Sequence, residues 1–235
     1  MKKITLNLTT VFLTACLWST NLLADDWSDW VATFRQEALA KGIPATLLDQ
    51  QFDGLLPSHS HMQLISSQPE NRLSFLNYRK SRIDNYRITL GRRAYDKNRA
   101  LLDSIGQRYD VDPAYVVAIW GLETSYGAFM GNYPVIRSLA TLAYHSHRQD
   151  FFRSELLLAL QILNEHQIAP DQFKGEWAGA SGQCQFMPSS WYKYAVDFDG
   201  DGRKNIWTNK ADALASIANY LKQNGWNPNE PWVFK

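Results

Sequence analysis

Apolar residues recur at helical spacing along most of the chain, and segments bearing glycine and proline interrupt them. Trp27, Trp30, Val31, Phe34 and Ala38 share one face of a helix that Gly42-Ile43-Pro44 ends. A second short helix is expected from Ala45 to Phe52. Asp53 to Gln68 contains Gly54, Pro57 and several serines without periodicity, so it reads as loop. Arg72 to Arg99 reads as a long helix broken or bent near Gly91, and Ala100 to Tyr109 continues it. Further helices are expected at Ser138 to Tyr144, Asp150 to Glu165 and Asp212 to Asn224, the last stopped by Gly225-Trp226. Phe151, Phe152, Glu155, Leu156, Ala159, Leu160 and Leu163 set the apolar face of the second of these. The predicted fold class is mainly α.

The helix that organises the rest starts at Asp112-Pro113, where an aspartate caps and a proline loses no hydrogen bond in the first turn. Val116, Ile119 and Trp120 lie at i, i+3 and i+4, and Glu123 takes i+7 on the same stripe. The acid is therefore expected to face inward. Gly127 supplies the stop, which leaves Glu123 in the last turn beside carbonyls that disfavour a negative charge. Desolvation and the helix end both raise its pKa, and a carboxyl that keeps its proton near neutral pH can serve as a general acid. The plainer alternative is an ion-paired structural glutamate.

Composition narrows the functional classes. The chain of 235 residues has room for one large domain or two small ones. Its net charge of +1 gives no global attraction to a polyanion, and 45% hydrophobic with 20% charged residues is ordinary globular composition. Nine Trp and eleven Tyr suit core packing and equally a sugar cleft, where ring faces stack on pyranose C–H surfaces. Between Arg72 and Arg99, nine Lys/Arg stand against Asp84 and Asp96, a local +7. That surface is a solvated helix face, or it meets an anionic wall polymer or lipid headgroups.

The amino terminus carries Lys2 and Lys3, an apolar Val11-Phe12-Leu13 segment and Ala24 before Asp25-Asp26, the pattern of an export signal over residues 1–24. Asn7, Thr9, Thr10 and Thr14 interrupt it too often for a membrane-spanning helix. Cleavage after Ala24 yields a soluble periplasmic protein. Leu13-Thr14-Ala15-Cys16 resembles a bacterial lipobox, which would anchor Cys16 by lipid to the outer membrane. Export disfavours nucleic acid as a partner. Cys16 and Cys184 are the two cysteines, so there is no disulfide framework and no four-cysteine zinc site.

Asp197-Phe198-Asp199-Gly200-Asp201-Gly202-Arg203-Lys204-Asn205 carries the strongest metal signal. Asp197, Asp199 and Asp201 take positions 1, 3 and 5 of an EF-hand-like loop, with Gly202 at 6, the Arg203 carbonyl at 7 and Asn205 at 9. Position 12 is Thr208 instead of a bidentate glutamate, so a weak or differently closed structural Ca2+ site is expected. His59 and His61, two apart without a third ligand, read as solvated loop residues. His145 and His147 lack the i, i+4 spacing of a helical metal pair. Ser189 and Ser190 beside Pro188 read as a helix cap, because no base accompanies them.

In order, Ile119-Trp-Gly-Leu-Glu-Thr-Ser-Tyr-Gly127, Ser138-Leu-Ala-Thr-Leu-Ala143, Trp177-Ala-Gly-Ala180, Gln185-Phe-Met-Pro-Ser-Ser190, Tyr194-Ala-Val-Asp-Phe-Asp-Gly-Asp-Gly202 and Ala218-Asn-Tyr-Leu221 resemble the bacterial membrane-bound lytic murein transglycosylase B family. The resemblance implies a lysozyme-like helical core over residues 109–235, preceded by an N-terminal helical region over 25–108. It implies an enzyme that cleaves the β-1,4 bond between N-acetylmuramic acid and N-acetylglucosamine without water, leaving 1,6-anhydromuramoyl ends during cell-wall turnover. Glu123 matches the family's acid/base. Gln185 and Tyr220 match positions that line the cleft, and the acidic loop matches a calcium site. Tyr126 and Glu176 are the further candidates for substrate contact. No cofactor is implied for catalysis; the partner is the peptidoglycan glycan strand, met by a monomer.

The chain departs from the family's pattern at Glu176, where Ser is common, at Ser181, where Met is usual, and at Cys184. Glu176 could then act as a second carboxylate and favour hydrolysis. Relatives also continue past the position of Lys235 into a portion that adds aromatic residues to the cleft. The alternatives are therefore a catalytically impaired wall-binding protein, a hydrolytic muramidase and, third, a calcium sensor.

Overall fold

The computed structural model describes residues 15–66 and 74–230. The expected export signal falls largely on residues 1–14, outside the described residues, as do Arg72 and the last five positions. Among the described residues no helix is long and apolar enough to cross a membrane. The chain forms two compact units that part at Pro57/Ser58.

The first unit pairs α1 (Ala15–Ala40) with α2 (Ala45–Phe52). Helix α1 starts well before the expected Trp27, through a stretch rich in Ala and Leu, both good helix formers. Its stripe buries Trp27, Phe34 and Ala38 against Leu48 and Phe52. The Trp27 indole N–H reaches the Leu55 carbonyl at 2.8 Å, and Arg35 pairs with Asp49.

The second unit opens with α3 (His59–Ser66), where the sequence reads as loop. Tertiary contacts override weak local propensity here. The Ser58 N–H donates to Thr141 Oγ1 at 3.0 Å, and His61 is buried with its Nε2 2.9 Å from Ser138 Oγ. His61 is thus a packed core residue and not a solvated one.

Helices α4 (Phe75–Arg82) and α5 (Asn85–Lys97) replace the single bent helix. The break lies at Ile83-Asp84, because the Asp84 carboxylate caps α5 by accepting the Arg87 N–H at 2.7 Å. Gly91 lies inside α5; a Cβ there would sit 2.7 Å from the Tyr126 hydroxyl, so its role is close packing. Helices α4 and α5, with α6 (Arg99–Tyr109), belong to the second unit.

Helix α7 (Pro113–Thr124) packs against α5, α6 and α11 (Lys210–Gln223). The extensive pair α8 (Val135–His145) and α9 (Gln149–Asn164) lies beside it in sequence, bracketed by β1 (Tyr133–Pro134) and β2 (Lys174–Gly175), which pair antiparallel. Leu102, Ile105, Val116, Leu139, Leu156, Leu160, Leu214 and Ile217 are almost wholly buried and form the core. Phe151 departs from its expected face: it is 36% exposed, under the Arg148 guanidinium. Glu155 is buried because its carboxylate caps α10 (Pro188–Tyr194), accepting the Ser189 N–H at 2.9 Å.

Candidate active site

Helix α7 delivers Glu123. Asp112 Oδ1 accepts the Ala114 N–H at 2.8 Å and starts the helix as expected. Its end comes earlier than Gly127, at Ser125, and Ser125, Tyr126 and Gly127 are successively left-handed (φ 49°, 64° and 83°). The Ser125 N–H returns to the Gly121 carbonyl and the Tyr126 N–H to that of Trp120. Two non-glycine residues in this region carry steric strain, and surrounding contacts must hold them there.

Glu123 does not enter the core. Val116 and Trp120 on its stripe are buried, whereas Glu123 is solvent-open along a cleft of about 310 Å³. Ile119, Phe186, Met187 and Tyr220 line that cleft with it, while Gln185 and Cys184 come from the loop before α10. A helical stripe reports a shared face but not whether that face meets core or cavity. Partial burial among these apolar groups still raises the Glu123 pKa, and the Arg82 guanidinium offsets part of the rise.

Gln185 is also left-handed (φ 50°). Its Nε2 donates to the carbonyls of Met130 (3.2 Å) and Gly182 (3.0 Å), which fixes the amide's orientation and leaves Oε1 buried without a protein donor among the described residues. Tyr220 is 39% exposed and packs on Phe186 and Tyr194. Cys184 is buried, and burial, with a smaller push from Glu123, raises its pKa so far that it remains a thiol.

Two candidates lie elsewhere. The Tyr126 ring stands edge-on to Trp120, and its hydroxyl donates to the Arg87 carbonyl at 2.9 Å; a Cβ at Gly121 would meet the ring at 2.5 Å. It wedges α5 against α7 and does not line the Glu123 cleft. Glu176 is exposed in the turn after β2, its N–H bound to the Ala180 carbonyl, and it too is absent from that cleft lining. Ser181 accepts the Trp207 indole N–H at 3.2 Å, which gives the hydroxyl a packing role.

In the acidic loop the carboxylates of Asp197, Asp199, Asp201 and Asp212 come within 4.8 Å of one another. Asp212, in the first turn of α11, is the residue that sequence spacing missed. Its buried carboxylate accepts the N–H groups of Phe198 and Asn205, both at 2.8 Å. Burial raises its pKa despite these bonds, and the charges of Asp199 and Asp197 add to the rise. The Asn205 amide is spent on the turn, accepting from Trp207 and Thr208 and donating to Thr208 Oγ1. An all-oxygen, all-anionic donor set that repels itself suits a hard divalent cation.

A family profile described as the transglycosylase SLT domain matches residues 26–235. The chain belongs to this transglycosylase family. Membrane-bound lytic murein transglycosylase B of Escherichia coli K12 is 40% identical over 154 residues, 65% of this chain and 42% of the relative. SltB3 of Pseudomonas aeruginosa, solved with NAG-anhNAM-pentapeptide, superposes with a TM-score of 0.83 at 45% identity over 88% of this chain and 55% of that one. Escherichia coli Slt35 in complex with calcium matches with a TM-score of 0.78 at 34% identity over 86% and 64%. The mainly α, lysozyme-like fold expected of a transglycosylase of this family is the observed one. The chain spans about half the length of these first relatives.

Proposed function

We propose that the chain is an exported peptidoglycan lytic transglycosylase with Glu123 as its single general acid/base. The observation that carries this reading is that Glu123 is the one carboxylate among the described residues lining its cleft. A hydrolase of the usual kind places a second carboxylate across the bond to activate water or attack the sugar. A lone acid suffices when the substrate supplies the rest. Glu123, whose pKa is raised by burial, gives its proton in the acid form to the glycosidic oxygen as the C1–O bond breaks. The muramoyl acetamido oxygen stabilises the cationic C1. The resulting Glu123 carboxylate then takes the proton of the C6 hydroxyl as that oxygen bonds C1. The 1,6-anhydro product forms, Glu123 regains its proton, and no water is consumed. The free Gln185 Oε1 is an acceptor for a substrate N–H or O–H, and Tyr220 offers a ring face to a pyranose. The ligand bound to SltB3, NAG-anhNAM-pentapeptide, is in keeping with this product.

The acidic loop is read as a structural calcium site held by Asp197, Asp199, Asp201, the Arg203 carbonyl and Asp212. Bound calcium would supply charge neutralisation between the loop and α11, and no catalytic step. The amino-terminal pattern supports a periplasmic location, with or without a lipid anchor at Cys16, and a membrane-bound relative is in keeping with it.

Digestion of purified peptidoglycan followed by mass spectrometry of the soluble muropeptides tests the proposal. Anhydro ends that disappear in Glu123→Gln are expected. Reducing ends would identify a muramidase, and binding without soluble products would identify a wall-binding protein.

A further inference from the structure

A second groove, of about 450 Å³, lies between α5 and α7 on the face of α7 next to the one that carries Glu123. Val117, Ala118 and Leu122 from α7 meet Ile83 and Ile88, with Tyr126 at the floor. Its surroundings are unusual for a surface. Neither α4 nor α5 buries a side chain, and Phe75 and Tyr86 are 75% and 73% exposed, with Leu76, Ile83, Ile88 and Leu122 also open. Exposed apolar groups at a groove mark an interaction site, and Ile83, Ile88 and Leu122 line this one.

Charge identifies the chemistry of the partner. From Phe75 to Lys97 seven cations (Arg79, Lys80, Arg82, Arg87, Arg92, Arg93 and Lys97) stand against Asp84 and Asp96, a local +5. Both acids are occupied, Asp84 as the α5 cap and Asp96 with Arg99. Arg87, which donates to the Gly121 carbonyl, and Arg92 line the groove together with Asp96, whose charge Arg99 offsets. A second copy presenting the same face would meet like charge. A glycan strand has no long apolar segment for a groove so poor in hydrogen-bonding groups. A molecule joining an alkyl chain to an anionic phosphate satisfies both features.

We propose that the α5–α7 groove takes one acyl chain of an anionic phospholipid, with Arg92 and Arg93 holding the headgroup phosphate, so that the α4–α5 face rests on a bilayer surface. Phe75 and Tyr86 then lie at headgroup level, where aromatic side chains are favoured. Glu123 does not line this groove, and neither Arg92 nor Arg93 is assigned a part in its chemistry.

Flotation of the full chain with phosphatidylcholine vesicles, and with phosphatidylcholine mixed with phosphatidylglycerol, tests this. Several-fold more protein is expected to float with the anionic vesicles, and the difference should shrink at high salt. The paired substitutions Arg92→Glu and Arg93→Glu should remove the difference. Ala118→Trp, which fills the groove and leaves every charge in place, should reduce it as well. Circular dichroism and the thermal midpoint of each variant check that it remains folded. Equal flotation with both vesicle types, or flotation indifferent to both sets of substitutions, overturns the proposal. So does arginine-dependent pelleting with purified peptidoglycan in the absence of vesicle binding, which would assign the surface to the wall polymer.

Discussion

The Thr124 hydroxyl donates to the Gln183 carbonyl at 2.9 Å and accepts the Gly127 N–H at 3.0 Å. One side chain thus joins the left-handed end of α7, one residue past Glu123, to the loop that presents Gln185. Gln183 completes the joint: its Oε1 accepts the Trp120 indole N–H at 3.1 Å and its Nε2 donates to the Trp207 carbonyl at 3.3 Å. The distance between the acid and its cleft partners rests on this buried network.

Thr124→Val keeps the shape and deletes the hydroxyl, leaving a buried carbonyl and an N–H unpaired. Such a loss costs about 1–3 kcal/mol. Urea unfolding should show that drop, with kcat falling more than KM rises as Glu123 loses its placement. A variant as stable and as active as the parent would show that the hydroxyl holds nothing.

Glu123→Gln should lower transglycosylase turnover by about 10²- to 10⁴-fold, the range for a general acid. It should also raise stability at neutral pH. The Glu123 pKa is raised by burial, so the folded chain holds a proton that the unfolded chain releases between the ordinary glutamate value and the raised one. Stability therefore falls as pH climbs through that window, and the glutamine variant lacks the fall. Thermal midpoints of both proteins from mildly acidic to neutral pH check the sign.

Arg82→Gln removes the positive charge that holds the Glu123 pKa down. The alkaline limb of the rate profile, where Glu123 loses its proton, should move to higher pH, and Arg82→Lys should restore it. An unmoved limb in Arg82→Gln would separate the two groups.

Calcium should stabilise the fold by relieving repulsion among Asp197, Asp199, Asp201 and Asp212. At a concentration about 100 times Kd the gain is about 2.7 kcal/mol. Chelator should lower the thermal midpoint of the parent and leave Asp212→Asn nearly unchanged. Calorimetry that detects no heat with the parent would refute the site.

His61 titrates below its ordinary value of about 6.5, first because it is buried and then because Arg137 repels the imidazolium. As pH falls through 6.5 the unfolded chain takes up this proton before the folded one does. Stability should therefore decline until the lower folded pKa is passed. Tyr133 stands edge-on to the ring, and Nδ1 has no protein partner among the described residues. Hydrogen exchange should show α3 losing protection over that range, and His61→Gln should flatten the response.

Much of this was legible in the chain because its causes are local. Asp112-Pro113 starts α7 through capping and ring geometry that involve only neighbouring residues. The i, i+3, i+4, i+7 spacing put Glu123 on the stripe of Val116 and Trp120, and the ordered motifs tied it to Gln185 and Tyr220. Those residues do meet at one cleft. The Asp197-to-Asn205 spacing likewise located a cluster of carboxylates.

What escaped depends on contacts between distant residues. Periodicity could not tell that the stripe of Glu123 opens on a cavity, since Phe186 and Tyr220 form the other wall. The α3 helix exists where Ser138 and Thr141 receive it, and Asp212 enters the acidic loop because α11 folds back on it. Tyr126, part of the acid's own motif, turns to fill the space above Gly91 and Gly121. Sequence by itself determined which residues form helices and which carry chemistry, since backbone propensity and spacing act over a few residues. Only the tertiary structure decided what each face meets, because burial and pKa are set by atoms that the chain brings together from far apart.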